Sequence, residues 1–106
     1  MSVSVLADNV AGSVADQTSV SSSKTPFLPG RVVSAHIQTG GITGTEPSII
    51  IESSPDESVW TTVLTCNQIT GGKVGNVTCD KYMRAGVETA GGTLAGRYTA
   101  WLQSGD

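Results

Sequence analysis

The sequence predicts an all-β fold, an antiparallel β-sandwich of about seven or eight short strands with an extended N-terminal arm, and three observations carry that expectation. The first is composition. Only 14% of the 106 residues are charged and 5% aromatic, and the 38% hydrophobic share rests mainly on Val and Ile, which suit a pleated surface better than a helix. The second is punctuation: Gly, Pro, Asn and Asp signals divide the chain at intervals of about ten residues, the spacing of a sandwich or barrel. The third is period-two alternation of apolar and polar residues between those signals.

Residues 1–29 read as an arm with a possible first strand, and 30–106 as the sandwich domain. The arm is rich in Ser and Ala, with Val3, Val5 and Leu6 as small apolar anchors and Phe27-Leu28 bracketed by Pro26 and Pro29. Residues 7–16 have slight helical character, interrupted by Gly12 and Ser13, and 13–23 is counted as one more strand.

The strands of the domain follow in order. In 31–38, Val33, Ala35 and Ile37 share an apolar face, and His36 sits on the opposite, solvent-facing one. In 49–54, Ile49 and Ile51 point inward and Ile50 and Glu52 outward, although three consecutive Ile also mark a strand covered on both sides. Ser54 to Ser58 is a solvated hairpin turn through Pro55, Asp56 and Glu57. In 59–66 the set Trp60, Thr62, Leu64, Cys66 and the set Val59, Thr61, Val63, Thr65 are both half apolar, so the inward face stays open. Residues 71–75 read as a compact hairpin or loop, with Val77 and Cys79 in a short strand after it. Met83, Ala85 and Val87 group together in 82–89; in 94–103, Leu94, Tyr98, Ala100 and Leu102 oppose Arg97, Thr99 and Trp101. The Gly pairs at 40–41, 71–72 and 91–92 read as turns with positive φ, since no helix follows them to make a phosphate loop.

Composition excludes several functions. The six Lys and Arg are scattered singly in a chain of net charge -3, so no basic stripe exists to meet nucleic acid, and no apolar run is long enough to span a membrane as a helix. The first residues lack a basic, then apolar, secretory signal, which predicts synthesis in a cytoplasm, and there Cys66 and Cys79 default to reduced thiols. With one His and no CxxC, neither a nucleophile–base pair nor a soft-ligand zinc site assembles, so the chain is expected to be no enzyme, with no cofactor and no metal. Asn76-Val77-Thr78 matches a glycosylation sequon, which has meaning only on a secretory route. Trp60 and Trp101 are the largest apolar side chains; each reads first as core or core edge, but an outward Trp101 beside Arg97 would mark a contact surface. The small core also favours a homo-oligomer, dimer or trimer.

One pattern resembles a known family. The run Ile51-Glu52-Ser53-Ser54-Pro55-Asp56-Glu57-Ser58-Val59-Trp60, then Lys81-Tyr82-Met83-Arg84-Ala85, then Gly91-Gly92-Thr93 and Tyr98-Thr99-Ala100-Trp101-Leu102 is similar to small phage structural proteins in which an ES-x-D-x-x-x-W hairpin precedes a Y-[LMV]-R-A strand. Among them it looks most like the jelly-roll decoration (cement) proteins on the heads of epsilon-fifteen-like podophages. The resemblance spans roughly residues 30–104 and implies an external clamp on the capsid, bound to the major capsid protein of the shell at the outer surface of the virion. It brings no catalytic residues. From the residues themselves, the candidate contacts to such a partner are Val3, Val5, Leu6, Phe27, Leu28, Arg97 and Trp101. The alternative is a glycan- or receptor-binding sandwich of a phage tail or fibre, which requires at least two of Trp60, Trp101, Tyr82 and Tyr98 to be coplanar and exposed.

Overall fold

A computed structural model describes residues 2–11, 20–21, 29–43, 48–88 and 95–104. These form eight strands and no helix: β1 (Ser2–Ala11), β2 (Val20–Ser21), β3 (Val32–Thr43), β4 (Ser48–Ser54), β5 (Thr61–Cys66), β6 (Gly71–Thr78), β7 (Tyr82–Glu88) and β8 (Ala95–Ser104). The pairings nest. β1 pairs with β8, β2 with β7, β3 with β6 and β4 with β5, all antiparallel, so the chain is one long hairpin whose tip is the β4–β5 turn. The hairpin is rolled so that β8 also pairs with β3 and β7 with β4. Two four-stranded sheets result: a front sheet ordered β1-β8-β3-β6 and a back sheet ordered β2-β7-β4-β5. That order is the double Greek key of a jelly roll.

The inner faces follow from period two wherever pairing is regular. On the front sheet Val33, Ala35 and Ile37 of β3 meet Tyr98, Ala100 and Leu102 of β8, all buried. Opposite them on the back sheet lie Ile49, Ile51, Met83 and Ala85, in the same apolar cluster. Ile50 is buried as well at 5% exposure, yet stands outside that cluster, so β4 is covered on both faces.

Bulges decide the remaining faces. In β5 the partners of Ile51 and Glu52 are Leu64 and Thr62, which leaves Val63 as an extra residue. One added residue reverses the alternation. Leu64 and Cys66 therefore face the core while Thr62 faces out beside Glu52, and this is why neither alternating set in 59–66 is purely apolar. A second bulge lies in β1, where Val5 pairs with Trp101 but Ala7 with Ala100. Leu6 and Ala7 are consequently both buried.

Three expectations need correction. Residues 71–75 are not a hairpin or loop but the first part of β6, an eight-residue strand in unbroken register with β3. At Gly75 a Cβ would come within 2.9 Å of Leu64 Cδ1 on the opposite sheet, so the end of that leucine side chain would have to shift to admit one. The 40–41 glycine pair lies inside β3, which runs on to Thr43, and only Gly41 has positive φ. The possible first strand of the arm is present, Ser2–Ala11 forming an edge strand hydrogen-bonded to β8, and the slight helical character of residues 7–16 gives way to strand through Ala11. Of the strand expected over 13–23 the structure describes Val20–Ser21, paired with β7. Residues 91–92 lie outside the described residues.

Candidate protein-docking face

The outer face of the front sheet gathers the residues of most interest. Cross-strand register places Val5 of β1, Trp101 of β8, His36 of β3 and Val74 of β6 in one row across all four strands. The His36 and Trp101 rings are stacked, with centroids 4.8 Å apart and planes 7° apart. That separation equals the spacing of neighbouring strands, so the rings stand upright side by side, and each covers a face of the other. Flanking bonds hold the pair: Trp101 Nε1 donates to Gln103 Oε1 at 3.2 Å, and Ser34 Oγ and His36 Nε2 are hydrogen-bonded at 3.1 Å.

On one side of this row lies Val3–Gln103–Ser34–Asn76, and on the other Thr99–Gln38–Gly72, with Asn9 N donating to Thr99 Oγ1 at 3.0 Å. In the second flanking row Gly72 has no side chain, and a Cβ there would lie 3.0 Å from the Ile37 carbonyl oxygen. None of the positions named is Asp, Glu, Lys or Arg, and the nearest carboxylate is exposed Asp8 of β1, which with Asn9 lies opposite Thr99 at the end of the second row. Val3, Val5, Val32 and Val74 lie on this face and are four of the six large apolar residues exposed among the described ones, the others being Val59 and Ile69. An uncharged apolar surface rimmed by amides and hydroxyls is the usual character of a protein contact surface.

The expected contact residues thus divide. Val3, Val5 and Trp101 come together on this face, and Arg97 lies at its end, paired across from Gly40 and donating to Asn9 O at 2.7 Å. Leu6 belongs instead to the core at 6% exposure, a consequence of the β1 bulge, and is removed from the contact set. Phe27 and Leu28 lie outside the described residues. His36 was placed on the solvent face but not as a member of a site, and Val74 was hidden in a Gly-rich run. Their signal is register, which joins positions 5, 36, 74 and 101 only after folding.

The back sheet has a different outer surface. Arg84 Nε bonds Glu52 Oε1 at 3.0 Å, and the Arg84 guanidinium carbon lies 4.0 Å from the Trp60 ring centroid. Trp60 is therefore capped by a cation of its own chain. With Trp101 on the front, Trp60 on the back and Tyr98 buried at 1% exposure, these three share no exposed plane.

The remaining polar groups act structurally. In the β4–β5 turn Ser54 Oγ accepts from Asp56 N and Glu57 N, and Asp56 Oδ1 accepts from Ser58 N at 2.8 Å and Val59 N at 3.1 Å. Those backbone donors hold the Asp56 carboxyl below the ordinary 3.8. Cys66 and Cys79 are free buried thiols, and burial pushes Cys79 above its usual 9.0, partly opposed by the Arg31 charge. Among the described residues no three His, Cys, Asp or Glu side chains cluster as metal ligands. No family model, curated protein or solved structure matches the chain.

Proposed function

We propose that this chain is a viral structural protein, an external decoration (cement) protein that binds the assembled head of a tailed phage and clamps neighbouring major capsid subunits. The observation that carries this reading is the uncharged apolar face Val3, Val5, Trp101, His36 and Val74 on a jelly roll, a surface fitted to protein contact rather than to chemistry. The motif resemblance supports it independently. Jelly rolls serve in capsids and lectins alike, so the fold is compatible with the role without specifying it. A ligand that binds only the assembled shell stabilises it by mass action, and small contacts repeated over a lattice multiply through avidity. On this reading the chain is not an enzyme. Its partners are the major capsid protein and further copies of itself, and its place is the outer surface of the capsid.

The test is the copy number of this chain relative to the major shell protein in purified virions, by quantitative mass spectrometry. A ratio near one, or a simple fraction of it, is expected. A ratio of a few per hundred would move it to the tail or portal, and absence from particles would overturn the structural reading in favour of a glycan- or receptor-binding module.

A further inference from the structure

We propose that His36 makes docking through the front-sheet face pH-dependent, so that the face binds while its imidazole is neutral and releases when mild acid protonates it. The inference rests on the reading of that face as the shell contact, and it adds how the contact is regulated. It is carried by where the ring stands, what its neutral form is bonded to, and which charges surround it.

His36 is half-buried in the middle of the face. In its row an exposed valine lies at each end, Val5 and Val74, and Trp101 stacks against one side of the ring with centroids 4.8 Å apart. A partner that covers the row therefore takes water from the imidazole as well. The neutral ring tolerates this. The Ser34 hydroxyl lies 3.1 Å from Nε2, and because a hydroxyl both donates and accepts, it satisfies that nitrogen in either neutral tautomer.

The protonated ring has no such provision. An imidazolium stripped of water requires an anion beside it, or docking bears the cost of an unpaired charge. The outward positions that β1, β6 and β8 present in its own row and the two flanking rows, and those before and after it on β3, include no titratable or charged side chain. The nearest such groups among the described residues lie at the margins. Asp8 of β1 is beyond β8 and opposite Thr99, and Arg97 is paired across from Gly40 and donates to Asn9 O at 2.7 Å. At the other end Arg31 bonds Ser104 Oγ at 3.3 Å, and Lys73 of β6 falls on the inward-facing alternation opposite Ile37. Trp101 does attract the cation, but the stack is present in the free and the docked chain and cancels from the difference.

Docking is thus coupled to release of the His36 proton. The sign follows: affinity is full above the His36 titration and falls by up to about tenfold per pH unit below it. Histidine titrates in the range of about pH 5 to 8, so the device operates in mild acid.

Two measurements on the wild type, His36→Phe and His36→Arg test this. In the isolated chain, an imidazolium in contact with indole quenches its emission, so acidification should lower tryptophan fluorescence in a step that both variants lack. Virions equilibrated with free chain from about pH 8 to 5 are then pelleted, and the ratio of bound to free chain is read by quantitative mass spectrometry. The wild-type ratio should fall in acid with the slope of one proton. Each variant is compared with itself across the series, so a changed affinity at neutral pH does not enter: the ratio should lose that slope in both. At about pH 8, His36→Arg, which carries a permanent charge, should bind roughly tenfold or more weakly than the wild type. Circular dichroism checks folding, and His36→Gln replaces any variant that unfolds.

A missing fluorescence step, a wild-type ratio that stays constant or rises in acid, or an equal fall in His36→Phe would overturn the proposal and leave shell binding intact. Absence of binding at every pH would overturn the shell reading, and the proposal with it.

Discussion

The front and back sheets each place one tryptophan on their outer surface, and the chain surrounds the two differently. On the back sheet, Trp60 lies against the Arg84 guanidinium, and Arg84 is in turn paired with Glu52. Both charges are largely buried, at 21% and 12% side-chain exposure, so that face is internally neutralised. On the front sheet, Trp101 stacks on His36, donates its Nε1 to Gln103 and is bordered by exposed Val5 and Val74. The comparison shows that an aromatic residue on a sandwich surface is not by itself a contact site. What surrounds it decides: a cation of the same chain satisfies the ring, whereas an uncharged apolar border leaves area that gains free energy when covered.

Three perturbations would break or sharpen this contrast. The largest effect is expected at Gly96, where β8 approaches β3. Its φ is +86°, and a Cβ there would strike the Gly41 carbonyl, so Gly96→Ala combines backbone strain with overlap and should cost about 3 kcal/mol or more. Urea unfolding checks this. If Gly96→Ala were neutral, the close β3–β8 pairing that sets the front row would be wrong.

A smaller effect belongs to the back sheet. A double-mutant cycle with Trp60→Leu and Arg84→Met should show a coupling of about 0.5–1 kcal/mol in chemical denaturation. The same cycle with His36→Leu in place of Arg84→Met should show no such coupling to Trp60. A coupling of zero between Trp60 and Arg84 would erase the distinction between the two tryptophans.

The smallest effect concerns the hairpin tip. The folded state lowers the Asp56 pKa, so its stabilising contribution is present above the ordinary aspartate value of 3.8 and is lost as pH falls through the lower folded value. Asp56→Asn should therefore be less stable than the wild type near neutral pH. The two melting curves should converge in acid, once the pH is below the lowered folded value. A gap that persisted or widened there would contradict the backbone donors of Ser58 and Val59 as the cause.

Much of the fold was legible because regular strands obey period two. β3 and β8 were read with the correct inward faces, Val33, Ala35 and Ile37 against Tyr98, Ala100 and Leu102. The Ser54–Ser58 turn was legible because Ser and Asp side chains bond the backbone next to them, a local effect. Where the reading failed, one residue or one distant contact was responsible. The extra Val63 turns the alternation of β5 over, and the β1 bulge takes Leu6 from the expected contact set into the core. Gly75 reads as a loop residue from its propensity, yet it lies in β6, paired with Ala35 in the unbroken ladder with β3.

From the chain alone follow the β class, the near count of strands, the weak charge, and the membership of Val3, Val5 and Trp101 among contact candidates. Each depends on residue type or on neighbours a few positions away. The nesting of the strands, the bulges and the row Val5–Trp101–His36–Val74 come from folding, because they depend on register between segments far apart in sequence, and a shift of one residue sends every side chain to the opposite face.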